Sequence, residues 1–502
     1  MLGLSPIEKL VILPMVELTI FALGILLIDL MIPRESKWLN AVAAFVGVLS
    51  SAICVWRIQG LLPNRAFAFY GTLLVDHFAL YFWYLFLAAA AVTILVSARY
   101  LDIEDEHHGE YYALLLFSVV GMMCMAAGVD IVLLFIGLEL MALSIYVLVG
   151  FLRRDRRSNE AALKYLLLGA FSSGIFAYGL SLFYGISGST RLGDIGRAVS
   201  GMDPHNPVIV LALLTTLVGL LFKIAAVPFH QWAPDAYEGA PTSITGFMSV
   251  AVKAAAWALL LRILIFALLP LRSIYTPILV FVAIATMTGG NLAAMTQSNT
   301  KRLLAYSSIA HVGYMLLALI AMGTSPTNSP GFVDGFKGIL IYLLVYTFMN
   351  LGVFAVITSL RQRNVIGDEI DDLAGLYKRA PVEAVLMLLF LLSLAGIPPA
   401  AGFLGKYYIF LSLVESGHFW LAAAAVLYAL FGLYYYLRIA NAMFMRESTE
   451  TTQLPISAAM RVAVGVAALA TIVIGVFPEP FIRGVNWSLG IAQVPHVAAI
   501  MR

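Results

Sequence analysis

The sequence has 502 residues, of which 62% are hydrophobic and only 12% charged, with a mean hydropathy of +0.94. A soluble domain is about one quarter charged and about half apolar, so this composition excludes a soluble protein and describes a polytopic membrane chain. The net charge of +2 points to no nucleic-acid partner and no basic surface arm.

A membrane helix needs about 20 mainly apolar residues. On that rule the chain is all-α with about fourteen transmembrane spans. They are predicted near residues 9–32, 38–58, 72–98, 111–128, 130–152, 160–187, 207–238, 242–269, 273–295, 300–322, 334–360, 380–417, 419–445 and 458–478. The first reads as a retained helix, because no small-residue cleavage site follows it. The two cysteines, Cys54 and Cys124, lie in apolar stretches without CxxC or Cys/His spacing. That argues against an iron–sulfur centre or a structural zinc, and there is no CxxCH and no strand-borne GxGxxG. Redox chemistry, if any is involved, is expected on other chains.

Lysine and arginine in the loops set orientation. Loops after odd-numbered spans hold fifteen of them, from Arg34 and Lys37 to Arg363, Arg446 and Arg461, with the RRDRR run at 153–157 the densest. The even loops and the two ends, out to Arg502, hold nine. The bias places odd loops in the cytoplasm and both termini on the periplasmic side. The acidic loop at 99–110 reads as a solvated turn: His107 and His108 are adjacent and cannot both ligate from one helical face.

Span 7 is unusual. LLFKIAAVPFHQWAPDAYEGAPT, Leu220 to Thr242, places Lys223 in an apolar run five residues before Pro228. Proline lacks a donor N–H and clashes with the preceding turn, so the helix is predicted to break there. A charge beside a broken helix at membrane depth is tolerated against a protein-lined, hydrated cavity. Span 12 repeats the theme, broken at Pro398–Pro399, but with Lys406 after the break. Broken helices at matching places in two halves mark transport sites. The reversed order of lysine and proline fits an inverted repeat of spans 4–8 and 9–13. The chain then divides into residues 1–110, 111–270, 271–446 and 447–502.

Glu139, Lys223, Lys253 and Lys406 fall near the middle of spans 5, 7, 8 and 12, and a central lysine costs roughly 2.5–3.5 kcal/mol to insert. Buried ion pairs that hold helices in register are the bland reading. That fails for the set, because three lysines share one glutamate. Desolvation favours the neutral amine and a nearby carboxylate restores the ammonium. At about 6 Å and an effective dielectric near 20 one such charge contributes roughly 3 kcal/mol, enough for Glu139 to switch Lys223 between holding and releasing a proton. Lysine suits this role better than arginine, which stays charged. Arg262 is therefore read as a snorkelling or paired residue. His311, about 16 Å into span 10, is either a carrier between the lysines or a packing histidine. His230 reads as structural, bonding carbonyls freed by the break. Asp76, His77, Glu17 and Asp29 read as helix-end or interface groups, Lys301 as lying near the cytoplasmic surface, and Lys164 as a solvated helix end.

KIAAVPFHQWAPDAYEGAPT, LLSLAGIPPAAGFLGKYYIF, NTKRLLAYSSIAHVGYML and GLELMALSIYVL together resemble the antiporter-like membrane subunits of respiratory complex I, over essentially the whole chain. PDAYEGAP and a lysine at 406, where a sister branch has glutamate, single out one branch. The resemblance implies two inverted five-helix repeats, Glu139 and Lys223 as a modulating pair, Lys253 and His311 as a bridge, and Lys406 as the exit-side lysine. It implies NADH, FMN, iron–sulfur clusters and quinone on partner subunits, with no cofactor and no metal on this chain. It also implies neighbouring antiporter-like subunits and the bacterial inner membrane. The expected function is redox-driven proton translocation. The alternatives are a subunit of a multi-subunit cation/proton antiporter, or a scaffold of frozen ion pairs.

Overall fold

The computed structural model describes residues 5–61, 65–361, 367–447 and 456–490; Arg363 and Arg502, counted above, lie outside them. In hydrocarbon every backbone N–H and C=O must be paired within the segment, and the apolar runs meet that demand as helices. In chain order these are α1 (Pro6–Asp29), α2 (Leu39–Leu61), a hairpin of β1 (Arg65–Ala68) and β2 (Leu73–Asp76), α3 (His77–Glu104), α4 (Gly109–Ala127), α5 (Ile131–Val149) and α6 (Arg156–Ser187). Then follow α7 (Leu192–Ser200), α8 (Pro207–Lys223), α9 (Trp232–Gly239), α10 (Thr242–Phe247), α11 (Lys253–Leu261), α12 (Arg272–Thr296), α13 (Thr300–Thr324) and α14 (Pro330–Leu360). The chain closes with α15 (Leu376–Arg379), α16 (Pro381–Ala395), α17 (Ala401–Glu415), α18 (Phe419–Met445), α19 (Ala458–Val476) and α20 (Glu479–Ser488).

Among the described residues 12 helices are long and apolar enough to cross a membrane, and α8 and α16 are two shorter apolar ones. These two are the first halves of the predicted broken spans, so all fourteen predicted spans are present. The polar punctuation is local: Ser5 and Glu8 form a capping box on α1, and Asp130, Asp155, Asn206, Asn299 and Ser457 each cap a helix start. Their side-chain oxygens take N–H groups that the helix leaves unpaired.

Three elements differ from expectation. Residues 73–76, predicted as the start of span 3, pair antiparallel with β1, Arg65 opposite Asp76. The amphipathic α7 tucks Leu192, Ile195 and Val199 inward, against the end of the eighth span. That span is itself irregular: two π-helical stretches, Met248–Val252 and Arg262–Ala267, flank α11.

The centre of the molecule is the eighth span and α13, each 94% buried over its apolar window, whereas α1 and α18 are 33% buried and face outward. Both breaks are closed by side chains. Trp232 Nε1 donates to the freed Phe222 carbonyl at 2.9 Å, and the Val227 N–H donates to Thr286 Oγ1 at 3.0 Å. In the second, the Gly402 N–H donates to Ser393 Oγ at 3.0 Å. A Cβ at Gly402 would lie 1.8 Å from the Ser393 carbonyl oxygen, so only glycine allows α16 and α17 to approach this closely.

Arg262 is paired rather than snorkelling. Its Nη1 and Nη2 donate to Asp76 at 2.7 and 2.6 Å, its Nε to the Ala126 carbonyl at 2.9 Å, and both partners of the ion pair are fully buried. The guanidinium stacks 4.6 and 4.9 Å from the Phe78 and Phe266 rings, while Asp76 also caps α3 through the Ala79 N–H. Losing one partner of such a pair costs about 3–5 kcal/mol, because a bare charge stays buried. Asp76→Asn is expected to destabilise by that amount, and adding Arg262→Met to recover part of it. Thermal unfolding of the purified chain in detergent checks this; a double variant no more stable than the single one contradicts it.

Candidate functional site

The structure buries Lys223, Lys253, His311 and Lys406, each with 5% or less of its surface exposed. Lys223 is the last residue of α8, where unpaired carbonyls gather at the negative pole of the helix; its Nζ donates to Tyr146 Oη at 3.2 Å. Lys406 follows its break but reaches back, donating to the Ala395 and Leu394 carbonyls at 2.7 and 3.2 Å. The first half of each broken helix thus ends on a lysine, through the residue itself for Lys223 and through bonds to its last carbonyls for Lys406. Gly396, in the left-handed region at φ 86°, leaves room for the Lys406 stem, whose Cδ would lie 2.8 Å from a Cβ there.

Between these two ends runs a polar file carried by α13. Lys253, first residue after the Met248–Val252 π stretch, donates to Ser308 Oγ. One turn on, His311 places Nδ1 2.5 Å from Tyr342 Oη and Nε2 2.9 Å from Tyr436 Oη, and Tyr436 also bonds Ser307. A further turn brings Tyr314, whose ring lies 5.2 Å below Lys406 Nζ. Residues 307, 308, 311 and 314 share one helix face by their three- and four-residue spacing. The structure thus assembles Lys253, His311 and Lys406.

Lys223 stands apart from that file. Tyr146 packs on Tyr165, Tyr165 stacks on Trp232 at 4.3 Å, and Trp232 contacts Tyr237, whose ring lies 5.8 Å from Lys253 Nζ. This aromatic row separates the first lysine from the second. Glu139 makes no ion pair with Lys223 within 4.0 Å. It is half-buried on α5 beside exposed Ile136 and Leu143, and its Oε1 is buried with no hydrogen-bond partner among the described residues.

Other residues meet expectation only in part. The Phe222 carbonyl accepts from Trp232, and His230, with its Nδ1 buried, interacts with the Pro228 carbonyl at the break, in keeping with a structural role. Lys301, the second residue of α13, sits at the span end but is buried, donating to the Ala240 carbonyl at 2.8 Å with Asp368 3.6 Å away; burial pushes the Asp368 carboxyl up from its ordinary range. Lys164 is exposed and pairs with Glu160 and Asp235. Asp235 and Glu238 both hold Arg302, at 2.7 and 2.9 Å, which accounts for the acidic residues of PDAYEGAP. His107 is a largely buried partner of Asp102 at 3.3 Å, so that loop is less solvated than predicted. Tyr146, Tyr342 and Tyr436 were not singled out from the sequence. Their signal is a tyrosine hydroxyl within an apolar span, which needs a partner there.

Residues 128–432 match the family described as NADH:quinone oxidoreductase/Mrp antiporter, transmembrane. The chain is 61% identical to NADH-quinone oxidoreductase subunit N 1 of Koribacter versatilis, with 99% of both chains covered, and 53% identical to subunit N 2 of Solibacter usitatus, covering 95% and 97%. A chain of respiratory complex I from Thermus thermophilus superposes with a TM-score of 0.78 at 33% identity, over 94% of this chain and 98% of that one. The chain belongs to the antiporter-like membrane subunits of the NADH:quinone oxidoreductase/Mrp family. Within it, the branch singled out by PDAYEGAP and Lys406 is that of subunit N of NADH-quinone oxidoreductase. A chain of the Mrp complex from Dietzia, TM-score 0.80 at 20% identity over 98% and 100% of the two chains, shares the fold.

Tyr436→Phe keeps the ring and removes the hydroxyl that His311 and Ser307 share. Losing a hydrogen bond of this kind costs about 0.5–1.5 kcal/mol. NADH-driven proton pumping by the complex carrying this variant is expected to slow several-fold; a rate equal to wild type removes Tyr436 from the site.

Proposed function

We propose that this chain moves protons across the bacterial inner membrane along Lys223, Lys253, His311 and Lys406, driven by redox chemistry on partner subunits. One observation carries the proposal: none of Lys223, Lys253 and Lys406 forms an ion pair within 4.0 Å among the described residues. A scaffold of frozen ion pairs needs a carboxylate at each ammonium. Hydroxyls and carbonyls instead accept a proton-bearing amine while leaving it free to become neutral.

In this reading a proton taken from the cytoplasm rests on Lys223 and passes to Lys253. It then crosses the Ser308–His311–Tyr436 cluster and leaves through Lys406. Imidazole suits the centre because its two nitrogens take and give a proton on opposite sides. Glu139, with one unpaired oxygen at the edge of the chain, modulates Lys223 and answers to neighbouring antiporter-like subunits of the membrane arm. Residues 111–270 and 271–446 form the two inverted repeats, each contributing one lysine at the carbonyl end of a broken helix. Both termini lie on the periplasmic side. NADH, FMN, iron–sulfur clusters and quinone are held by partner subunits.

Lys223→Met and Lys406→Met each remove the exchangeable proton at nearly constant volume. In the assembled complex reconstituted in vesicles, both are expected to lower the number of protons pumped per NADH oxidised. A ratio equal to wild type in either variant overturns the relay.

A further inference from the structure

The 8 residues of α9 follow a run of turns over residues 224–231, begin without a side-chain cap and end at Ala240 and Pro241. A helix of two turns does not hold itself, so its place depends on what its side chains grip. Trp232 grips at the start, through the Phe222 carbonyl and the Tyr165 ring. The grip at the other end is ionic.

Asp235 and Glu238, one turn apart on one face, line a cavity of about 210 Å³ between α6, α9 and the start of α13. Asp235 Oδ1 accepts from Arg302 Nη1 at 2.7 Å, and its Oδ2 accepts from Lys164 Nζ at 3.0 Å. Glu238 accepts from the same Arg302 nitrogen at 2.9 Å, and Glu160 pairs with Lys164 at 2.8 Å. The charges therefore alternate from Glu160 through Lys164, Asp235 and Arg302 to Glu238. Among the described residues of α9, Asp235 alone bonds side chains of both flanking helices. Gly239 completes the contact with α6: a Cβ there would run into Ala161 and lie 2.6 Å from the Arg157 carbonyl oxygen.

The opposite face of the same two turns meets the relay. Tyr237 stands two residues from Asp235, about 200° around the axis. Its ring packs on Trp232 and lies 5.8 Å from Lys253 Nζ. Arg302 belongs to α13, the helix that carries Ser308 and His311. A shift of the gripped face thus moves the rings that stand between Lys223 and Lys253.

We infer that Asp235 is a positioning residue for proton transfer, a role that rests on the relay proposed above. Its carboxylate clamps α9 between α6 and α13, so that Trp232 and Tyr237 keep their places between the first two lysines. Glu238 is the lesser partner because it reaches Arg302 alone. Glu160 touches Lys164 and is the end of the charge row farthest from α9.

Two readouts on the assembled complex in vesicles separate the clamp from the relay. Asp235→Asn keeps the side chain's shape and removes its charge. Hydrogen–deuterium exchange over residues 232–239 is expected to rise about fivefold, the factor that losing a part-exposed ion pair gives at the upper end of its range. Protons pumped per NADH oxidised are expected to fall at an unchanged amount of assembled complex. Asp235→Glu is expected to recover much of both, and Glu160→Gln to leave both at wild type. Lys164→Gln, which cuts only the α6 bond, gives the same signs at smaller size if Asp235→Asn does not assemble. Unchanged exchange in Asp235→Asn overturns the clamp. Faster exchange with a wild-type pumping ratio overturns the positioning role where Lys223→Met lowers that ratio, and overturns the relay itself where Lys223→Met does not.

Discussion

Everything in this fold answers to one constraint: hydrocarbon offers no partner to a charge or a polar group. Backbone groups meet it by forming helices, and the two broken spans meet it with Trp232, Thr286 and Ser393. Side chains meet it in two different ways. Arg262 and Asp76 satisfy each other completely, sealed under two phenylalanine rings. Lys223, Lys253 and Lys406 are given only neutral acceptors. A permanent cation and a cation that must come and go require these opposite solutions.

The second pattern is where the two outer lysines sit. Lys223 is the terminal residue of its half-helix, while Lys406 belongs to the following half and leans back across the gap. The order along the chain is reversed, yet both lysines belong to the carbonyl end of a short helix, Lys223 as its last residue and Lys406 through its bonds to the Ala395 and Leu394 carbonyls. That pole attracts an ammonium without fixing it, because carbonyl dipoles screen a charge less fully than a carboxylate does.

Much of this was readable from residues alone. Prolines at 228, 398 and 399 announced the breaks, apolar length announced the spans, and lysines in apolar runs announced the site. What stayed hidden depends on contacts between distant positions. Tyr436 meets His311 across 125 residues, Arg262 meets Asp76 across 186, and Tyr81 donates to the Leu340 carbonyl across 259. No periodicity encodes such pairs. The β1–β2 hairpin and α7 were missed for a related reason: each is too short to outweigh the span signal on either side of it.

The nine residues of α11 are bounded by π-helical turns, with Lys253 at one end and Arg262 opening the stretch at the other. A π turn holds one residue more than an α turn. Removing that surplus swings the residues beyond it by about 100° around the axis. Because α11 is held at Arg262, the extra residues on either side of it set how this short rod is phased against the rest of the span, so that the Lys253 amine meets Ser308 on α13 while the Arg262 guanidinium meets Asp76.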